Sequence, residues 1–224
     1  MDISSKKEFD LYKDIQNRTG GEVYLGIVGP VRTGKSIFIK RFMDVAVLPY
    51  MEDAAQKTRA QDELPQSAGG RTITTTEPKF IPQEAVELKL AGEVTIRVRL
   101  VDCVGFMVEG AAGHLEDGAE RLVKTPWYDH EIPFTQAAEL GTRKVITDHS
   151  TIGVVVTTDG SFSDLPQETY LDAENQAISE LKKLHKPFLV LVNSSHPSSR
   201  TAREAAERIE KQHSVAAMPV NCAQ

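Results

Sequence analysis

Residues 29–36 read Gly29-Pro30-Val31-Arg32-Thr33-Gly34-Lys35-Ser36 and fit G-x-x-x-x-G-K-[ST] at every fixed position. The pattern has a mechanical meaning only when a strand feeds the loop and a helix leaves it. Both flanks comply. Glu22 to Val28 is an apolar, strand-like run, and Ile37 to Met43 reads as the start of a helix. Glycines let such a loop wrap an anion, with successive N–H groups pointing inward and the helix N-terminus adding partial positive charge. The stretch from Gly29 to Ile37 is therefore the candidate phosphate cradle. Within it, Lys35 is placed to reach β- and γ-phosphates, and the Ser36 hydroxyl to ligate Mg²⁺.

A strand, a loop and a helix need a sheet to belong to, and the rest of the chain supplies it. A helix is expected from Glu8 to Asn17, within an N-terminal segment 1–20, and a short one from Glu52 to Glu63. A polar loop follows, carrying Thr72 to Pro78. A cluster of threonines some forty residues after a phosphate loop suggests a switch, with Thr75 and Thr76 as candidates to meet Mg²⁺ or the terminal phosphate. Ala85–Leu90 and Val94–Val101 alternate around a turn at 91–93 and read as a hairpin. Its second strand ends in Leu100-Val101-Asp102-Cys103-Val104-Gly105. An apolar strand ending in Asp places a carboxylate where Mg²⁺ is held, and Gly105 lets a backbone N–H approach the terminal phosphate.

Residues 106–134 read as irregular. A helix is expected from about Pro133 to Ile146, a buried strand at Thr151–Thr157, and a helix from Asp164 to His185. A strand follows at Phe188–Val192, then a helix opened by a Thr201/Glu204 capping box, then a last strand at Val215–Val220. The predicted fold class is α/β: a doubly wound, mostly parallel sheet with one antiparallel edge strand, occupying residues 21–224. The uninterrupted hairpin argues against a small-molecule kinase, which inserts a helix there.

With 224 residues the chain can bury a full core. A net charge of −6 with no basic run speaks against a nucleic-acid surface. No apolar segment reaches membrane-spanning length. Two cysteines, Cys103 and Cys222, make neither a disulfide framework nor a metal site, and a cytoplasmic home is expected.

The phosphate loop, threonine loop, hairpin and Asp-x-x-Gly together resemble the translation-factor-related GTPase class, a Ras-like P-loop fold. Longer runs are more particular: Gln61 to Ala68, Thr75 to Phe80, Leu100 to Gly105, Thr125 to Tyr128 and Gly141 to Ile146. With these the chain is similar to the stage IV sporulation protein A family, spore-coat morphogenetic ATPases of endospore-forming bacteria. The resemblance implies Mg²⁺-dependent ATP hydrolysis that drives self-assembly into a homopolymer on the forespore surface, in the mother-cell cytoplasm. Other spore-coat proteins and a small membrane-surface anchor are the implied partners. Family members are longer, which implies middle and C-terminal parts outside these residues.

Three departures from the GTPase pattern bear on chemistry. Where GTPases carry Asn-Lys-x-Asp, this chain has Asn193-Ser194-Ser195-His196. It keeps the Asn, a candidate nucleotide contact, and lacks the carboxylate that pairs with guanine, which favours ATP. The water-orienting Gln after Asp-x-x-Gly is replaced by Phe106. Arg32 stands where related Gln-less GTPases often hold an Asn that helps bind a monovalent cation; a guanidinium there can replace that cation as a built-in arginine finger. The catalytic candidates are thus Lys35, Asp102, Thr75, Thr76 and Arg32, with Ser36, Asp102 and Thr76 for the metal. Two alternatives share these residues: a GTPase of the Era-like type, and a nucleotide-gated scaffold that needs no hydrolysis.

Overall fold

The computed structural model describes residues 20–65, 77–89, 95–111, 114–116 and 118–224. The expected helix at 8–17, Thr75, Thr76 and the hairpin turn at 91–93 lie outside them. A six-stranded sheet forms the middle layer. Its strands are β1 (Glu22–Val28), β2 (Lys79–Lys89), β3 (Thr95–Asp102), β8 (Ile152–Thr158), β9 (Phe188–Asn193) and β10 (Ala217–Val220). Their spatial order is β10-β9-β8-β1-β3-β2. Only the β2–β3 pair is antiparallel, so β2 is the one antiparallel edge that the hairpin predicted.

Side chains alternate along each strand and sort the core into two layers. Val28, Val101, Val155, Val190 and Val192 point to one face. There they meet α3 (Phe134–Lys144), α4 (Leu171–Lys183) and α5 (Arg200–His213). Ile27, Leu100, Val154, Val156 and Leu191 point to the other, against α1 (Lys35–Phe42), while Ala60 of α2 (Ala54–Asp62) joins the same layer. α1 continues through a π turn at Met43–Val47, and α3 through another at Val145–His149. The α2 N-terminus is capped by Asp53, which accepts from Ala55 and Gln56 N–H and is thereby held below the usual carboxylate range.

Three local readings change. Residues 115–133 contain two small antiparallel ribbons, β4 (Leu115–Glu116) with β5 (Ala119–Glu120) and β6 (Leu122–Thr125) with β7 (Tyr128–Pro133). They are short and largely exposed, so they leave no alternating apolar signal. The helix expected from Asp164 begins later: a 3₁₀ turn at Gln167–Tyr170 leads into α4, because Pro166 holds ψ 155 in the extended region. The cap of α5 is Ser199, whose hydroxyl accepts from Ala202 N–H at 3.1 Å, while Glu204 pairs with Arg200. Thr201 lies inside the first turn.

One buried charge ties three elements together. Glu174 on α4 is 1 % exposed, accepts from Thr157 of β8 at 2.7 Å and pairs with Arg208 of α5 at 2.7 Å. Removing one partner of a buried pair strands the other. Arg208 is itself 30 % exposed, so water offsets part of the loss. Arg208→Ala should therefore cost about 1–3 kcal/mol in urea unfolding, whereas Arg200→Ala at the fully exposed pair should leave the midpoint unmoved.

Candidate functional site at the phosphate loop

The site follows from strand register. Gly26 pairs with Val101 and Ile27 with Asp102 across the parallel β1–β3 ladder, while Val28 faces Val155 of β8. Asp102 therefore emerges beside the start of the phosphate loop. The pairing then runs past the strands. Phe106 N–H donates to Gly29 O at 3.0 Å and Val31 N–H to Phe106 O at 2.9 Å. The segment after β3 is stitched to the loop by its backbone, and the Phe106 side chain, 1 % exposed, joins the core.

The loop is braced from three sides. Thr33 is fully buried, and its hydroxyl lies 3.0 Å from Pro30 O and 2.6 Å from Val156 O. Asn193, at the end of β9, donates from Nδ2 to Thr33 O and accepts Cys222 N–H at Oδ1, each at 3.0 Å. Glycine is required where these elements close. Gly34 caps α1 with φ 95, and a Cβ there would lie 2.3 Å from Asn193 Nδ2. Gly105 has φ 101, and its Cβ would lie 2.4 Å from Gly29 O and 2.5 Å from Lys35 Nζ. Arg32 also sits in the left-handed region, at φ 61, with its side chain exposed. A non-glycine residue there carries strain of order 1–2 kcal/mol, as at many ligand-binding loops.

The polar groups converge inside this frame. Lys35 is 5 % exposed and donates from Nζ to Pro30 O at 2.5 Å. Burial pushes its pKa down, opposed by Cys103 and Asp102. Ser36 Oγ donates to Asp102 Oδ2 at 3.0 Å, and Cys103 N–H donates to Oδ1 at 2.9 Å. The Asp102 carboxylate keeps an opening to solvent, yet the surrounding atoms crowd it enough that burial holds its pKa above the usual range, against the pull of Lys35. Burial also lifts the Cys103 thiol, to about 11; its Sγ donates to Ile27 O, as a small core residue would.

A hydroxyl and a carboxylate side by side, partly open, suit Mg²⁺, which takes oxygen ligands and keeps several waters. Gly29 to Ile37, Lys35, Ser36, Asp102, Gly105 and Asn193 thus come together, with Asn193 spent on bracing the loop. Sequence reasoning missed one neighbour: Gly105 N–H donates to the hydroxyl of Thr142, a buried residue of α3. No spacing rule links positions 105 and 142.

Residues 6–224 match the sequence profile described as "Stage IV sporulation protein A, ATPase domain". The chain belongs to the stage IV sporulation protein A family. It is 52 % identical to the stage IV sporulation protein A of Bacillus subtilis (strain 168) over 201 residues, 88 % of this chain and 41 % of that protein. The Bacillus anthracis relative is 48 % identical, covering 93 % and 42 %, and the Clostridioides difficile (strain 630) relative 49 % identical, covering 95 % and 43 %. The chain thus spans less than half the length of these family members. A solved chain titled as an SsGBP variant gives a TM-score of 0.48 at 13 % identity over 93 % of this chain and 52 % of that one. Among the described residues, no helix is long and apolar enough to cross a membrane.

Asn193 carries two hydrogen bonds between loop and sheet, so Asn193→Ala should lower stability by about 2 kcal/mol in denaturant unfolding. Hydrogen exchange should also quicken at the backbone amides of residues 31–36. Protection there equal to the wild type would mean that Thr33 alone secures the loop.

Proposed function

We propose that this chain is the nucleotide-hydrolysing part of a Mg²⁺-dependent ATPase whose ATP binding and turnover drive self-assembly of a spore-coat basement layer on the forespore surface. The observation that carries the reading is the convergence of Lys35, Ser36 and Asp102 at one glycine-rich loop, in a chain that matches a profile described as an ATPase domain. In this reading Lys35 turns from Pro30 O to the β- and γ-phosphates, and the amides at the α1 N-terminus bind the same oxygens. Ser36 and Asp102, with Thr76 as a third candidate, would hold Mg²⁺, which would offset phosphate charge. Thr75 or Thr76 would meet Mg²⁺ or the terminal phosphate. Ser194 and His196, standing where guanine would need Lys and Asp, support ATP over GTP. A homopolymer, other coat proteins, a small surface anchor and a mother-cell setting belong to the same reading.

Phosphate release with ATP and GTP side by side tests it: ATP should be the better substrate, with turnover dependent on Mg²⁺. Lys35→Ala should weaken ATP binding on the order of 10²-fold by calorimetry, and Asp102→Ala should retain binding but lose hydrolysis. Equal turnover of GTP would favour the Era-like alternative. Normal assembly by Asp102→Ala would favour the scaffold alternative.

Arg32 supplies the missing positive charge in this scheme. Its left-handed backbone and exposed side chain support a residue held at the loop surface for a ligand. Arg32→Asn should cut turnover on the order of 10³-fold while ATP affinity changes only a few-fold. Strong stimulation of the wild type by K⁺ over Na⁺ would remove the role.

A further inference from the structure

Gly105 N–H is the amide that the Asp-x-x-Gly pattern offers to a terminal phosphate, and here it donates to Thr142 Oγ1 at 3.1 Å. The acceptor is fixed. Thr142 is fully buried, and its own proton goes to Ala138 O at 2.8 Å, one turn back on α3. Toward Gly105 it therefore acts as an acceptor. Gly105 also lies against the phosphate loop, close enough that an added Cβ would meet Lys35 Nζ and Gly29 O. The next residue cannot follow any large movement, because Phe106 is tied to Gly29 and Val31 by two backbone hydrogen bonds. Rotation of the 104–105 peptide would move the amide without breaking those two bonds, and glycine tolerates the φ range this needs.

We infer that Thr142 is a positioning residue that competes with the terminal phosphate of a nucleoside triphosphate for Gly105 N–H, so that triphosphate occupancy is felt by α3. The inference rests on the nucleotide reading above and adds how the terminal phosphate is sensed. A diphosphate leaves the Gly105–Thr142 bond intact. A triphosphate takes the amide, and α3 loses this hydrogen bond to Gly105. The far end of α3 carries the signal outward. Phe134 N–H donates to Arg121 O at 2.8 Å, and the Arg121 guanidinium lies 4.4 Å from the Phe134 ring, so the β6–β7 ribbon rides on the same helix. That ribbon exposes Leu122 and Tyr128.

Calorimetry with ADP and a non-hydrolysable ATP analogue tests the competition. Thr142→Val keeps the shape and removes the acceptor; it should raise affinity for the analogue relative to ADP about fivefold, the worth of one ordinary hydrogen bond. Thr142→Ser keeps the hydroxyl and should preserve the wild-type ratio. An unchanged ratio in Thr142→Val, or the same change in Thr142→Ser, overturns the proposal. Should the valine variant not fold, the wild-type Gly105 amide resonance decides: it should move with the analogue and stay with ADP, and an equal response to both overturns the competition. Failure of the wild type to bind either nucleotide removes the nucleotide reading and this inference together; binding with an unaltered ratio removes the inference alone.

Discussion

Ile27 stands opposite Asp102 in the β1–β3 ladder, and every distance at the candidate site inherits that register. Side chains in a strand alternate, so a slip of one residue would turn the carboxylate into the opposite layer of the core. The Ser36 hydrogen bond would go with it. The ladder does not stop at the strand ends, since Phe106 continues it against the phosphate loop. Backbone hydrogen bonding thus specifies the geometry that the polar side chains then use. The apolar layers on either face secure the register by making any slip expose valines and leucines to water.

Burial at this site works against the very groups it assembles. Lys35 and Asp102 sit where each charged form is penalised, and each relieves the other only in part. Such poised charges are expected where a highly charged ligand is to be received, because a phosphate and a divalent ion together restore the missing counter-charges. Glu174 shows the contrast. It is as buried as Lys35, yet the Thr157 hydroxyl and the Arg208 guanidinium give it a hydrogen bond and a counter-charge within the fold.

Much of this was legible in the order of residues. The phosphate loop carries its own geometry in its glycines, and the uninterrupted hairpin leading into Asp102 made β2 the antiparallel neighbour of β3. What stayed hidden is of two kinds. Local competition hid some boundaries: Ser199 and Thr201 are both good caps, and only the observed bond from Ala202 N–H to Ser199 chooses between them. Distance in sequence hid the rest. The Asn193 bonds span 160 residues to Thr33 and 29 to Cys222, and the Thr142 contact spans 37, separations for which no periodicity exists. Asn193 stood out through its match to the Asn of the GTPase Asn-Lys-x-Asp pattern, but its use as a brace was not legible.

The triple anchoring of the loop, through Thr33 to β8, through Asn193 to β9 and the segment after β10, and through Phe106 to the segment after β3, has a consequence for how the molecule stores information. A cradle so stiff would meet a polyphosphate, under the nucleotide reading proposed above, in nearly its final shape, with little ordering entropy spent on closing it. By the same token it is a poor reporter: a part that hardly moves cannot tell the remainder of the molecule what it holds. Any record of an occupant would have to be written at the rim, and the proposed turn of a single peptide plane at Gly105 would do so without disturbing the frame beneath it.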